Sequence, residues 1–186
     1  MNSLIKFLTK YGSISPETEN ELLKKIQLIN KKKGDFFLKQ GQVTSSLLIM
    51  EKGLIRAFFV KDDKEYNSWF AIENEIISSI LPLYAGKPSF ENIQFLEDST
   101  GYWISVNDLN DLYRKHPELE KIGRKMAEEL CIVLEERITS LHTESAEQRY
   151  QNLVKNQPHL LQRLNLGHIA SFLGITQETL SRIRKR

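Results

Sequence analysis

The sequence is short of several things that would commit it to a particular chemistry. It holds a single cysteine, Cys131. No intramolecular disulfide can form, and a lone thiol cannot supply the roughly four ligands of an iron–sulfur cluster. No run approaches the ~18 apolar residues of a membrane span, and Met1 to Leu8 lacks the long apolar core of a signal peptide. The expected location is the cytoplasm. The four histidines are His116, His142, His159 and His168, and none falls between residues 34 and 105. A metal-binding barrel needs several histidines inside it, so neither a metal nor another cofactor is expected. No Ser/His/Asp or Cys/His set stands out, the carboxylates are scattered, and an enzyme is not expected. A net charge of +2 is too small to announce a polyanionic partner, so the distribution of charge must be read instead.

What is present divides the chain by character. Residues 15–29 read as a helix, with Ser15 as N-cap, Pro16 at the first helical position and Glu17 and Glu19 in the first turn. Leu22, Leu23, Ile26 and Ile29 supply its apolar face. From 34 to 105, glycines at 34, 41 and 53 separate short runs rich in β-branched and aromatic residues. Leu54 to Val60, Tyr66 to Ala71 and Tyr102 to Val106 read as strands. Lys61-Asp62-Asp63-Lys64 reads as a turn and Gly86-Lys87-Pro88-Ser89 as a loop. Such a pattern indicates a small antiparallel barrel or jelly roll.

Helix returns at Ser105, where Ser105 and Asp108 form a capping-box variant, and restarts at Pro117. Apolar residues then recur at Leu119, Ile122, Met126, Leu130, Val133, Leu134, Ile138 and Leu141. The gaps of three and four make one stripe. The stripe could pack on its own barrel or pair with its twin in a dimer. Its length, about 36 Å at 1.5 Å per residue, exceeds what a small barrel covers and favours the dimer. Ile122, Met126, Leu130, Val133, Leu134 and Ile138 are the expected seam. Cys131 is read as a core residue on the apolar side. The polar stretch His142 to Ser145 is the expected hinge, followed by helical segments at 146–155, 159–164, 166–173 and 176–185.

The most informative segment is Leu166 to Ile183. A helix-turn-helix needs a small residue where its two helices meet, and Ala170 is one. It needs a residue tolerant of left-handed backbone in the turn, and Gly174 is one. Ile169, Leu173, Ile175, Leu180 and Ile183 sit where the apolar anchors belong. Thr176 can cap the second helix. What remains is an outward face of Gln177, Glu178, Ser181, Arg182 and Lys185, side chains that reach base edges and phosphates. The stretch from Leu166 to Arg186 carries Arg182, Arg184, Lys185 and Arg186 against one acid, Glu178. His168 is read as facing solvent on the first helix.

Residues 174–183, Gly-Ile-Thr-Gln-Glu-Thr-Leu-Ser-Arg-Ile, resemble the recognition helix of the Crp/Fnr transcription regulators. The order of N-terminal helix, β-roll, long helix and helix-turn-helix is similar as well. The resemblance implies an α+β protein in three parts. Residues 1–115 would form a cyclic-nucleotide-binding-like β-roll, 116–142 a dimerisation helix, and 143–186 an all-α DNA-binding domain. It implies a homodimer on a palindromic promoter site in double-stranded DNA, contacted through Thr176, Gln177, Glu178, Ser181, Arg182, Arg184 and Lys185. RNA polymerase and a small-molecule effector of unknown identity are the further partners it implies. Glu178 followed by Ser181 and Arg182 is similar to the Fnr branch, which implies a half-site closer to TTGAT than to TGTGA. Two departures stand out. Cyclic-nucleotide-binding members carry a Gly-Glu pair and an arginine in the roll, whereas Glu73 to Thr100 has neither, so control by cyclic AMP is not expected. The family's β-hairpin wing after the recognition helix finds no counterpart before Arg186, so a wingless form is expected. The alternative reading is a ligand-sensing or interaction module whose DNA binding has been lost.

Overall fold

The computed structural model describes residues 3–185. Two helices open it, α1 (Ser3–Leu8) and α2 (Pro16–Lys25). The Ser15 side chain accepts the Thr18 N–H, and Pro16, Glu17 and Glu19 occupy the first turn of α2, all favourable at a helix N-terminus. The helix stops earlier than its apolar spacing suggests. Ile26 is already extended, at φ −76° and ψ 148°, and Gln27–Lys31 form strand β1. The expected helix over 15–29 is therefore corrected at its C-terminal end. Leu28 and Asn30 are exposed while Ile29 between them packs against the core, which is the period of a strand. The ladder from Gln27↔Trp103 to Lys31↔Ser99 satisfies the backbone that a longer helix would have satisfied internally.

The strands that follow are β2 (Phe36–Leu38), β3 (Ser46–Lys52), β4 (Ile55–Lys61), β5 (Lys64–Ala71), β6 (Ile76–Ile77), β7 (Asn92–Phe95) and β8 (Ser99–Ser105). A short helix α3 (Ile80–Ala85) lies between β6 and β7. They build two four-stranded antiparallel sheets, β1-β8-β3-β6 and β2-β7-β4-β5. The β4–β5 hairpin closes through Asp62 and Asp63, both left-handed at φ 50° and 57°, as a two-residue turn that follows the twist of its strands requires. Between the sheets lie Leu38, Leu48, Met50, Ile55, Ala57, Ala71, Ile77, Ile93 and Phe95. The antiparallel, jelly-roll-like β-roll is thus present.

Helix α4 (Val106–Lys115) starts where Ser105 Oγ accepts the Asp108 N–H at 3.0 Å and donates to the Asp108 carboxylate. Helix α5 (Pro117–Thr143) runs 27 residues, about 40 Å at 1.5 Å per residue. Its first turns are covered: Leu119 and Ile122 are 3% and 2% exposed and pack with α1, α2 and α4. Met126 is half-buried against the same cluster. Ile122 was assigned to the seam on spacing alone, and here it is core of its own chain, pressed against Gly12. Beyond Met126 the stripe is bare: Ile138 is 58% and Val133 53% exposed, and Leu130, Leu134 and Leu141 are exposed with them. Cys131 is exposed too, which corrects its reading as core.

Four helices complete the chain: α6 (Ala146–Asn156), α7 (Pro158–Arg163), α8 (Leu166–Leu173) and α9 (Gln177–Arg184). Only Glu144 and Ser145 separate α5 from α6, and Ser145 forms a reciprocal capping box with Gln148. These helices share a core with the roll. Leu54, fully buried between β3 and β4, packs with Leu153, Leu160, Leu164, Ile169, Leu173 and Leu180, flanked by Phe70, Ile72 and Leu96 from the roll.

Candidate nucleic-acid interface

Local sequence explains the geometry of α8 and α9. Asn165 caps α8 by accepting the His168 N–H at 2.8 Å, and Thr176 caps α9 by accepting the Thr179 N–H at 3.3 Å. Gly174 stands between them at φ 71° and ψ 31°, a left-handed backbone in which a side chain is strained. Ile169, Ala170, Leu173 and Leu180 are buried, and Ile175 and Ile183 are half-buried. These are the residues that the motif assigned to the inside. Gly167 lies under Gln177: a Cβ at 167 would stand 2.7 Å from Gln177 Nε2.

The outward face of α9 is open. Thr176, Gln177, Glu178, Ser181, Arg182, Arg184 and Lys185 are all exposed. The Glu178 carboxyl is held below its ordinary range by its own backbone N–H and by the Thr176 hydroxyl, so it stands ionised as a hydrogen-bond acceptor. Arg182 Nη2 lies 3.3 Å from Thr179 Oγ1 and its charge has no acid in ion-pair contact among the described residues. A short helix with an exposed guanidinium, an amide, a hydroxyl and a carboxylate has the donors and acceptors that base edges in a major groove present in complement. Arg186, counted with the basic tail, lies outside the described residues.

Helix α8 is as covered as α9 is open, and sequence reasoning missed why. Helix α8 lies along β5, the edge strand of its sheet. The Ser171 hydroxyl accepts the Asn67 N–H at 2.9 Å and donates to the Glu65 carbonyl at 2.9 Å. An exposed sheet edge is thereby closed. Arg56, 7% exposed, donates to Gln94 Oε1 at 3.0 and 2.8 Å, pairs with Glu65, lies 3.9 Å over the Phe58 ring and reaches His168 Nε2 at 3.3 Å. His168 is therefore half-buried against Phe70 and Arg56, not solvent-facing as its place in the motif suggested. Burial, and then the Arg56 charge, lower its pKa, so the ring is neutral and can accept from Arg56. Nearby, Arg163 at the end of α7 forks between Glu73 and Glu97 of the roll at 2.7–3.0 Å. Burial pushes Glu73 up, but the bonds from Arg163 and the Gly53 N–H outweigh it and bring it down to about 2. None of the bonds that tie α7 and α8 to the roll joins residues closer than 66 apart in sequence, and no local pattern could have announced them.

Among the described residues no group of three His, Cys, Asp or Glu side chains is placed to hold a metal ion, and no helix is long and apolar enough to cross a membrane.

No family model matches the sequence. The fumarate and nitrate reduction regulatory protein of Yersinia pestis is 28% identical over 185 residues, spanning 90% of this chain and 73% of that protein. The structure of FixK2 from Bradyrhizobium japonicum superposes with a TM-score of 0.75 at 13% identity, over 86% of this chain and 83% of that one. A protein from Eubacterium rectale described as a transcriptional regulator of the crp/fnr family superposes with a TM-score of 0.70 at 13% identity, over 92% and 82%. The molecule is thus a β-roll joined through a long helix to a helix-turn-helix. In sequence it is similar to that Yersinia pestis regulator, and in fold to structures of the Crp/Fnr type.

Proposed function

We propose that the protein is a cytoplasmic DNA-binding transcription regulator, not an enzyme, that reads a palindromic promoter site as a homodimer. One observation carries the reading. The outward face of α9 is bare and chemically complete, while its sister helix α8 is fixed to the rest of the chain. In a symmetric pair two such faces would enter successive major grooves about 34 Å apart, and half-sites would lie about one turn apart. Arg182 would give a two-pronged contact to guanine and Glu178 would accept from cytosine N4, with Lys185 and Arg184 on phosphate.

The dimer is supported by the second half of α5. Leu130, Val133, Leu134 and Ile138 form an exposed apolar face on a helix, and such a contiguous face marks an interaction site. Met126 would border that seam and Ile122 would stand outside it. Contact with RNA polymerase and control by a small-molecule effector belong to the same reading.

Indifference to cyclic AMP is supported by the stretch from Glu73 to Thr100. It has no arginine, and Lys87 is exposed. A half-buried acid there, Glu91, has a carboxylate that accepts from Ser68 Oγ at 2.9 Å and a pKa that burial pushes up. A cyclic phosphate without a paired cation loses several kcal/mol. Titration with cyclic AMP in a calorimeter should give no heat of binding; micromolar affinity would contradict the proposal.

Selection of bound sequences from random duplex DNA tests the whole reading. Inverted repeats bound with a steep salt dependence are expected. Recovery of no sequence, or of binding that salt does not suppress, would refute it.

A further inference from the structure

Helix α8 ends on carbonyls that have no partner within the helix, and two arginines from outside the motif take them. Arg137 of α5 donates to the Phe172 carbonyl and lays its guanidinium over the Phe172 ring at 3.9 Å. Arg149 of α6 donates to the Leu173 carbonyl at 2.8 Å and to the Glu144 carbonyl at 2.6 Å. Neither has a carboxylate in ion-pair contact among the described residues. Burial, and then the charge of Arg149, lower the pKa of Arg137. Two like charges side by side are unfavourable in themselves. The negative end of α8 is what offsets their repulsion.

The position of Arg137 is as telling as its bonds. It sits on α5 next to Ile138 and one turn from Val133, Leu134 and Leu141, on the same side of the helix as the bare apolar residues. Beside it a groove of about 740 Å³ separates α5 from α6 and α8, lined by Val133, Ser140, Leu153, Phe172 and Leu173 among others. Arg137 spans this groove. Among the described hydrogen bonds it is the one side chain of α5 that reaches α8. A planar guanidinium held by both a stacked ring and a carbonyl has little freedom, whereas a lysine or glutamine would lack the stacked, forked geometry.

We infer that Arg137 is a positioning residue that fixes the angle between the dimer helix and the helix-turn-helix, and thereby sets which half-site spacing the paired protein accepts. The inference rests on the dimeric, DNA-reading function proposed above. Its effect falls on spacing and not on base preference, since Arg137 is remote from the outward face of α9.

Two measurements on the full chain test it. In a Cys131→Ala background, a spin label at exposed Gln162 (Gln162→Cys) reports the distance between the two C-terminal regions without DNA. The unmodified protein should give a narrow distribution and Arg137→Gln a broad one, with Arg137→Lys between them. On duplexes carrying the selected inverted repeat with the spacer changed by one or two base pairs, the unmodified protein should prefer one spacing by about tenfold. Arg137→Gln should largely erase that preference and leave affinity for a single half-site unchanged. An unchanged narrow distance distribution together with unchanged spacing preference would overturn the inference. So would equal losses on half-site and palindrome, which would mark Arg137 as a plain structural support. If the unmodified protein binds no duplex, the regulator reading falls, and the distance measurement still decides whether Arg137 fixes the angle.

Discussion

The two halves of α5 carry apolar side chains at the same spacing and end in opposite environments. Leu119 and Ile122 disappear beneath α1, α2 and α4, while Val133, Leu134 and Ile138 stand in the open. The helices α8 and α9 repeat the contrast at shorter range, one fastened along a sheet edge and the other open along its outward face. Periodicity defines a face; what covers that face depends on where the rest of the chain ends. Where the chain itself has nothing left to offer, the face is available to another molecule.

The contrast can be broken from either side. The largest effect is expected in the bare half: Val133→Glu with Ile138→Glu places charges in the proposed seam at about 3–5 kcal/mol each, raising the dimer dissociation constant more than about ten-thousandfold. Sedimentation should show a folded monomer, and a persisting dimer would move the seam elsewhere. In the covered half, Ile122→Ala should lower stability by about 2–5 kcal/mol through the cavity it leaves. That loss should be the same at every protein concentration, because Ile122 serves its own chain; a dependence on concentration would return it to the seam. On α9, Arg182→Ala should cost roughly 1–3 kcal/mol on the best site and less once its G·C pair is changed. Equal losses on both duplexes would reduce Arg182 to a backbone contact.

The junction on the covered side of α8 should respond weakly to acid. Glu73 lies below its ordinary 4.5 when folded, at about 2. Its contribution is complete above pH 4.5 and fades as pH falls toward 2. With a side chain 31% exposed, Glu73→Gln should cost about 1 kcal/mol at neutral pH, and denaturant titrations should show the gap closing below pH 4.5. His168, lowered from 6.5 by burial and Arg56, has the same sign. The stability it lends is present above 6.5 and declines as pH falls below it. A His168→Gln protein should show a flatter stability profile between pH 7.5 and 5.5, and identical slopes would remove His168 from the account.

How far each feature was legible in the sequence follows from the distance over which its cause acts. The helix-turn-helix was readable nearly residue by residue, since Ala170, Gly174, Thr176 and Leu180 meet their requirements within a few positions. The roll was readable as a class, from its turns and short strands, without its pairings. The boundary at Ile26 was misread because Leu22, Ile26 and Ile29 satisfy a helical spacing, and the strand is decided by β8, over seventy residues away. Cys131 and His168 were each given the wrong neighbourhood for the same reason. The tie from Arg163 to Glu73 and Glu97 left no local trace at all.

Leu54 bears on what kind of object this protein is. A leucine from the roll completes the interior of the C-terminal helices, so those helices lack a finished core of their own. Chains built this way are not assembled from interchangeable parts. Severed near residue 143, the reading head would leave Leu153, Leu160 and Leu173 without their roll partner, and the roll would leave Leu54, Phe70 and Leu96 uncovered. Grafted onto a different roll, it would need that leucine's counterpart at the same place. Unfolding of one half should therefore carry the other with it, in a single melting event.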